Sequence, residues 1–191
     1  MQKEIVTFGN YAGKPIEWLV LEQQGRRKLL LSRNVLDAKK FLPDCIYTSW
    51  ERSSVRKWLA EEFRQAAFTA EESARIQTTK HETASELASH TEAAAEDAIF
   101  LLSVKEAERY IPRPDDRIAP ADAAACRESR DLRDFTALLP FYQGVRGCWW
   151  WLRDGGAEPN QRYIVWSDGT FCAEGHYVNY ERGIRPALWI E

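Results

Sequence analysis

The chain has 191 residues, of which 45% are hydrophobic, and carries eight tryptophans at a net charge of −3. A chain of this length suits one domain, residues 1–191, and buries about 70% of the surface its unfolded form exposes, so it needs no disulfide or metal to be stable. Basic residues are dispersed: Arg26-Arg27-Lys28 and Lys39-Lys40 are the only short clusters, each expected in a solvated turn beside a strand. That excludes a general phosphate-tracking surface for nucleic acid. The start, Met1 to Gly9, lacks the basic flank and long apolar stretch of a secretory signal, and apolar runs such as 99–102 and 148–152 are too short to span a bilayer. The chain therefore reads as cytoplasmic, with no membrane partner.

In chain order, residues 4–8 and 16–22 have strand character across the turn Asn10 to Pro15, and 28–32 is a third strand after the Gln24-Gly25 bend. Links this short make an antiparallel meander, not crossovers. Ser53 or Ser54 can cap a helix whose Val55, Trp58, Leu59 and Phe63 recur at helical spacing. Thr69 to Glu72 matches a capping box. Residues 80–96, mostly Ala, Glu, Ser, Thr and His, form a polar excursion without apolar periodicity. A strand at 99–102 and a helix at 104–110 follow, then an irregular stretch with Pro112, Pro114 and Pro120 and an Ala-rich piece at 121–126. The last third is β again, at 148–153, 162–167, 170–173 and 185–190, with a hairpin turn at Asp168-Gly169. The first and last strands are expected to pair. The class is α+β, with antiparallel sheet, two or more helices and long irregular loops.

Four cysteines (45, 126, 148, 172) and three histidines (81, 90, 176) complete no metal-ligand spacing. Free thiols are expected, with Cys148 and Cys172 the first candidates for a disulfide.

Several segments together resemble a bacterial domain family of unknown function, DUF6273, related to the C-type-lectin and sulfatase-modifying-factor fold. They are Phe8-Gly9 with 16–21 and 30–32, Trp50-Glu51-Arg52-Ser53-Ser54-Val55-Arg56-Lys57-Trp58-Leu59, 97–103 with Glu106 and Tyr110, Trp150-Trp151-Leu152-Arg153, and Gly183-Ile184-Arg185-Pro186-Ala187-Leu188. The resemblance covers nearly the whole chain. It implies a C-type-lectin-like fold and a recognition or display role; residues 80–96 and 112–120 depart from the pattern.

Trp18, Trp50, Trp58 and Trp150 are expected to be structural. On a strand, Trp149 and Trp151 would face one side and Trp150 the other, so that one face packs in the core and the other under a loop, or else Trp149 helps line a binding face. Arg56, Arg153 and Arg185 lie among apolar residues, where an arginine stacks on rings or pairs with a carboxylate, expected from Glu51 or Asp97. Tyr163, Trp166, Asp168, Phe171, His176, Tyr177, Asn179 and Tyr180 crowd one short region, in the manner of a paratope, although alternate residues of a strand pair could equally be core. Glu158-Pro159-Asn160 followed by Asp168 resembles the calcium and sugar motif of animal lectins, but at a shorter spacing and with Ser167 where a ligand asparagine would stand. No Ser-His-Asp, paired-carboxylate or His-rich set is readable. The expectation is a non-enzyme without cofactors, monomeric or weakly associating, that binds a protein through its aromatic C-terminal loops. The alternatives are a glycan-binding, calcium-dependent lectin and a copper oxidase using paired cysteines.

Overall fold

The computed structural model describes residues 3–81, 94–122, 141–142, 144–172 and 174–191. Strands β1 (Ile5–Tyr11) and β2 (Lys14–Gln24) join through Ala12-Gly13, both at positive φ (50° and 80°), a turn whose twist suits the hairpin. β2 turns back into β3 (Arg27–Ser32), so the meander forms as expected, with longer strands. The C-terminal strand β15 (Ala187–Ile190) lies against β3, not β1, with Ala187 opposite Leu31 and Ile190 opposite Lys28. Burial explains this correction: β15 is buried along its whole length and sits inside the sheet, whereas β1 alternates and is an edge. Two short strands, β5 (Ile76–Gln77) and β8 (Ile99–Phe100), pair with the other side of β15.

A helical run packs on this sheet: α1 (Ser54–Trp58), a π-helical turn (Leu59–Phe63) and α2 (Arg64–Ala67). Ser53 caps it, its hydroxyl accepting from Arg56 N at 3.1 Å. Val55, Leu59, Phe63 and Ala67 are buried at helical spacing, and Phe63 and the following Phe68 meet Tyr11, Phe8 and Trp18. The capping box at Thr69 opens α3 (Ala70–Arg75). Flanks of the expected polar excursion are ordered: β6 (Thr79–His81) pairs with β7 (Ala95–Asp97), while 82–93 lie outside the described residues. A second capping box, Ser103 with Glu106, opens α4 (Val104–Tyr110), and α5 (Pro114–Arg117) follows within the Pro-rich stretch. Most of the Ala-rich piece, 123–126, lies outside the described residues.

The second sheet carries the C-terminal third. After the short ribbon of β9 (Phe141–Tyr142) and β10 (Val145–Arg146), it is built from β4 (Asp37–Lys40), β11 (Trp150–Gly155), β12 (Gln161–Val165), β13 (His176–Tyr177) and β14 (Glu181–Ile184), in the order β13-β12-β11-β14-β4. One neighbour pair, β11 with β14, is parallel; the rest are antiparallel. Lys39-Lys40 thus end a strand and do not form a solvated turn. Residues 170–173 are not a strand: Phe171 makes a single bridge to Val165, and Ala173 lies outside the described residues. Mixed α+β with mainly antiparallel sheet and few helices describes the whole. No helix among the described residues is long and apolar enough to cross a membrane.

Tryptophans and arginines join these layers. Trp18 donates to Phe8 O (2.7 Å) and Trp150 to Arg117 O (3.2 Å). Both Trp150 and Trp151 are fully buried, since both faces of β11 are covered. Asp97, 6% exposed, accepts from the indole of Trp50 (2.8 Å) and from Arg56 Nε (2.6 Å), the partner expected for Arg56. Glu51 contributes only its carbonyl, to Arg56 Nη1 at 3.3 Å. Buried Arg153 pairs with Glu106, not with Glu51 or Asp97. Arg185 has no carboxylate partner among the described residues; it donates to the carbonyls of Ser32, Arg33 and Arg117 and stacks on Trp150. Cys45, Cys148 and Cys172 are free, and Cys126 lies outside the described residues. β12 runs between the segments that carry Cys148 and Cys172, a separation that no disulfide spans.

Asp97→Ala would strand a buried indole N–H and the Arg56 guanidinium. It is expected to lower the unfolding free energy by about 3–5 kcal/mol, whereas Arg33→Ala, in an exposed pair with Glu17, should cost about 0–1 kcal/mol; urea denaturation of both measures the contrast. Burial raises the pKa of Glu106, but the hydrogen bond and charge of Arg153 and the Ser103 N–H outweigh it, leaving the carboxyl below its ordinary value. A carboxyl lowered by folding stabilises above its unfolded pKa, and that stability is lost as pH falls through the folded value. Glu106→Gln should therefore be less stable than wild type at pH 7, with the gap closing as the medium is acidified; chemical denaturation across that range tests it.

Candidate functional site

One end of the second sheet exposes its aromatic side chains. Trp149 precedes β11, and its carbonyl accepts from Gly183 N (2.9 Å) in β14. That approach requires glycine: a Cβ on Gly183 would lie 2.5 Å from both Trp149 O and Val35 Cγ1. Held this way, the indole of Trp149 meets Trp166 edge-on at 4.8 Å and His176 at 6.4 Å. His176 meets Tyr180 edge-on at 5.1 Å, and Tyr180 lies 6.4 Å from Tyr177. Edge-on contacts suit the ring quadrupoles, so the cluster is fixed by geometry as well as by burial.

Arg182 lies at its centre. Its guanidinium sits 4.8 Å from the Trp149 ring and 5.4 Å from that of Tyr180, and its Nη2 is 2.9 Å from His176 Nε2. Burial, aided by the Arg182 charge, lowers the His176 pKa to about 4. His176 is therefore neutral at physiological pH and accepts from Arg182. No motif flagged Arg182; the signal available was an Arg on a strand one residue from Gly183, within reach of three rings.

Of the expected binding residues, Trp149, Trp166, His176, Tyr177 and Tyr180 come together here. Tyr177 and Tyr180 are the open members, at 45% and 47% exposure; Trp149, Trp166 and His176 are half-buried. Asn179 is half-buried between the two tyrosines in sequence, and its Oδ1 has no hydrogen-bond partner among the described residues. Tyr163 is buried in the core. Phe171 is covered by the guanidinium of Arg117 at 4.1 Å. Asp168 shapes its own turn, accepting from Thr170 N (2.9 Å) and Thr170 Oγ1 (2.7 Å). Of these three only Tyr163 is core; Phe171 and Asp168 are half-buried and engaged by neighbours within the fold.

The oxygens considered for calcium are divided. Glu158 and Asn160 belong to the turn before β12, where Gln161 N donates to Glu158 O, and Asp168 belongs to the turn after it. Five strand residues separate the turns by about 17 Å, too far to share one ion. No group of three or more His, Cys, Asp or Glu among the described residues is placed to hold a metal.

A neighbouring loop, missed by the sequence, adds two exposed apolar residues: Ile46 at 58% and Tyr47 at 47%. The loop is tied to the aromatic end, since Leu42 N donates to Val178 O, Asn160 Nδ2 lies 3.3 Å from Cys45 Sγ, and Arg162 donates to Thr48 O. Among the described residues, four of the six exposed large hydrophobics thus belong to two adjoining segments.

No curated protein and no solved structure matches the chain. The model of one family, described as a domain of unknown function (DUF6273), matches residues 25–191. That span holds both sheets apart from β1 and β2, the helical run and the aromatic end, and so the chain belongs to the DUF6273 family.

Proposed function

We propose that this chain is a non-catalytic recognition domain that binds a protein through the aromatic end of its second sheet. The observation that carries the proposal is the contrast in ring placement: Trp18, Trp50, Trp150 and Trp151 are fully buried, while Tyr177 and Tyr180 stand open above a braced cluster of Trp149, Trp166, His176 and Arg182. Tyrosine, tryptophan and arginine are the residues that most often dominate binding energy, since they present rigid contact area with a polar edge. The arrangement of two sheets with a helical run and loop-borne rings suits a C-type-lectin-like fold, in which loops carry recognition. The domain acts as a monomer or weak oligomer, without a cofactor.

A glycan ligand is the second reading, favoured by the open faces of Tyr177 and Tyr180, which can stack on sugar rings. It would proceed without the calcium set Glu158, Asn160 and Asp168, given their separation. A copper oxidase using Cys148 and Cys172 has less support, because Cys148 is buried and β12 runs between the two.

Tyr177→Ala/Tyr180→Ala is the discriminating variant, since both rings are exposed and their loss should change stability by about 0.5 kcal/mol or less each. Capture from a source-cell lysate should yield a protein with wild type and lose it at least tenfold with the variant, as befits hot-spot residues worth about 2 kcal/mol or more. Equal capture by both overturns the assignment of this face. Retention on a glycan array in place of a protein, sensitive to the same variant, moves the reading to carbohydrate.

A further inference from the structure

The groove between the end of β4 and the first turns of the helical run has no part in the aromatic cluster. Its volume is about 450 Å³, and Lys39, Lys40, Pro43, Ser54, Lys57, Trp58 and Glu62 line it. Its shape follows from local structure. Ser54 donates its hydroxyl to Phe41 O at 2.9 Å, locking the helix start to the strand end. Ser54 and Lys57 lie three residues apart, and Trp58 and Glu62 four, so each pair shares a side of the helical run. Opposite them, Lys39 is held by Asp37 (3.2 Å) and by the Trp58 ring, 5.0 Å from its ammonium. Lys40 and Lys57 are exposed and make no ion pair among the described residues.

Three lysines therefore line one concave site of a chain whose net charge is −3. Each has three N–H donors and no acceptor. Asp37 is engaged by Tyr11, the Ala38 N–H and Lys39, and Glu62 is the only carboxylate among the described residues that line the groove. We infer that this groove binds a phosphate group, with Lys40 and Lys57 supplying charge-assisted hydrogen bonds and Lys39, fixed over Trp58, supplying the third. Phosphate has the compact oxygen set that point-charge ammonium groups suit, and one anion offsets the charge of Lys40 and Lys57, which no carboxylate among the described residues pairs. The group is carried either by a free small molecule or by a phosphorylated peptide segment, which Pro43 and Trp58 would flank.

The full ¹⁵N-labelled chain is titrated at constant ionic strength with inorganic phosphate and, separately, with a short phosphoserine peptide and its unphosphorylated form. The expected result is a saturable shift of the Trp58 indole N–H with phosphate, identified by loss of that signal in Trp58→Phe. In Lys40→Gln/Lys57→Gln, which removes only exposed and unpaired charge, the affinity should fall at least tenfold while the rest of the spectrum is retained. Binding of the phosphopeptide at least tenfold tighter than inorganic phosphate assigns a phosphorylated segment; comparable affinities assign free phosphate. No saturable shift, an equal shift with chloride or the unphosphorylated peptide, or an unchanged affinity in the double variant overturns the inference.

Discussion

The fold turns on one buried guanidinium. Arg185 stands where the chain leaves β14 in the second sheet and enters β15 in the first, with 1% of its surface exposed. It donates to Ser32 O at the end of β3, to Arg33 O beyond it and to Arg117 O at the end of α5, while its plane lies 5.0 Å from the Trp150 ring. Burial lowers its pKa to about 9, which still leaves it protonated at neutral pH. A planar fork of five donors can satisfy several carbonyls at fixed angles, which the flexible ammonium of lysine cannot. The carbonyls it gathers lie at strand and helix ends, and one of them, Arg117 O, also accepts from the Trp150 indole. One side chain thus joins both sheets and the Pro-rich segment.

The same device recurs, and it positions the aromatic end. Arg117 donates to Gly169 O (2.6 Å), Ile111 O and Pro112 O and covers Phe171. Arg162 donates to Thr48 O and Arg153 O beneath Phe41, which anchors the loop that bears Ile46 and Tyr47. Buried Arg117, Arg162 and Arg185 brace irregular backbone, whereas buried Arg153 and half-buried Arg56 engage carboxylates. Long loops between short strands leave many carbonyls outside the ladders, and arginine reaches them.

Local signals in the sequence were sufficient where the physics is local. Caps at Ser53 and Thr69, the meander, the helix at 104–110 and the helical spacing of Val55, Leu59 and Phe63 all correspond to what the structure contains. Long-range pairing was not legible. The place of β15 beside β3 depends on which strand can be buried on both faces, and β4 pairs with a strand about 140 residues later. The site was legible as a crowd of rings but not as a surface. Tyr163 and Tyr177 look alike in sequence, yet β12 buries one and the edge strand β13 exposes the other. Arg182, Ile46 and Tyr47 went unnoticed because their importance comes from neighbours distant along the chain.

The arrangement around Arg182 also bears on why rings should be displayed there at all. An exposed tyrosine loses side-chain entropy on binding, and a partner gains most when the ring is already held. Tyr180 is held on one side by His176, edge-on at 5.1 Å, and on another by Arg182, which is itself fixed by Trp149 and His176. Because His176 stays neutral down to about pH 4, this contact carries no second positive charge beside the guanidinium through the physiological range. The half-buried residues thus rigidify the exposed ones and need not touch a ligand. That division separates Trp149, Trp166 and His176, which brace, from Tyr177 and Tyr180, which are free to contact, and it is the pattern by which a small surface concentrates binding energy in a few residues.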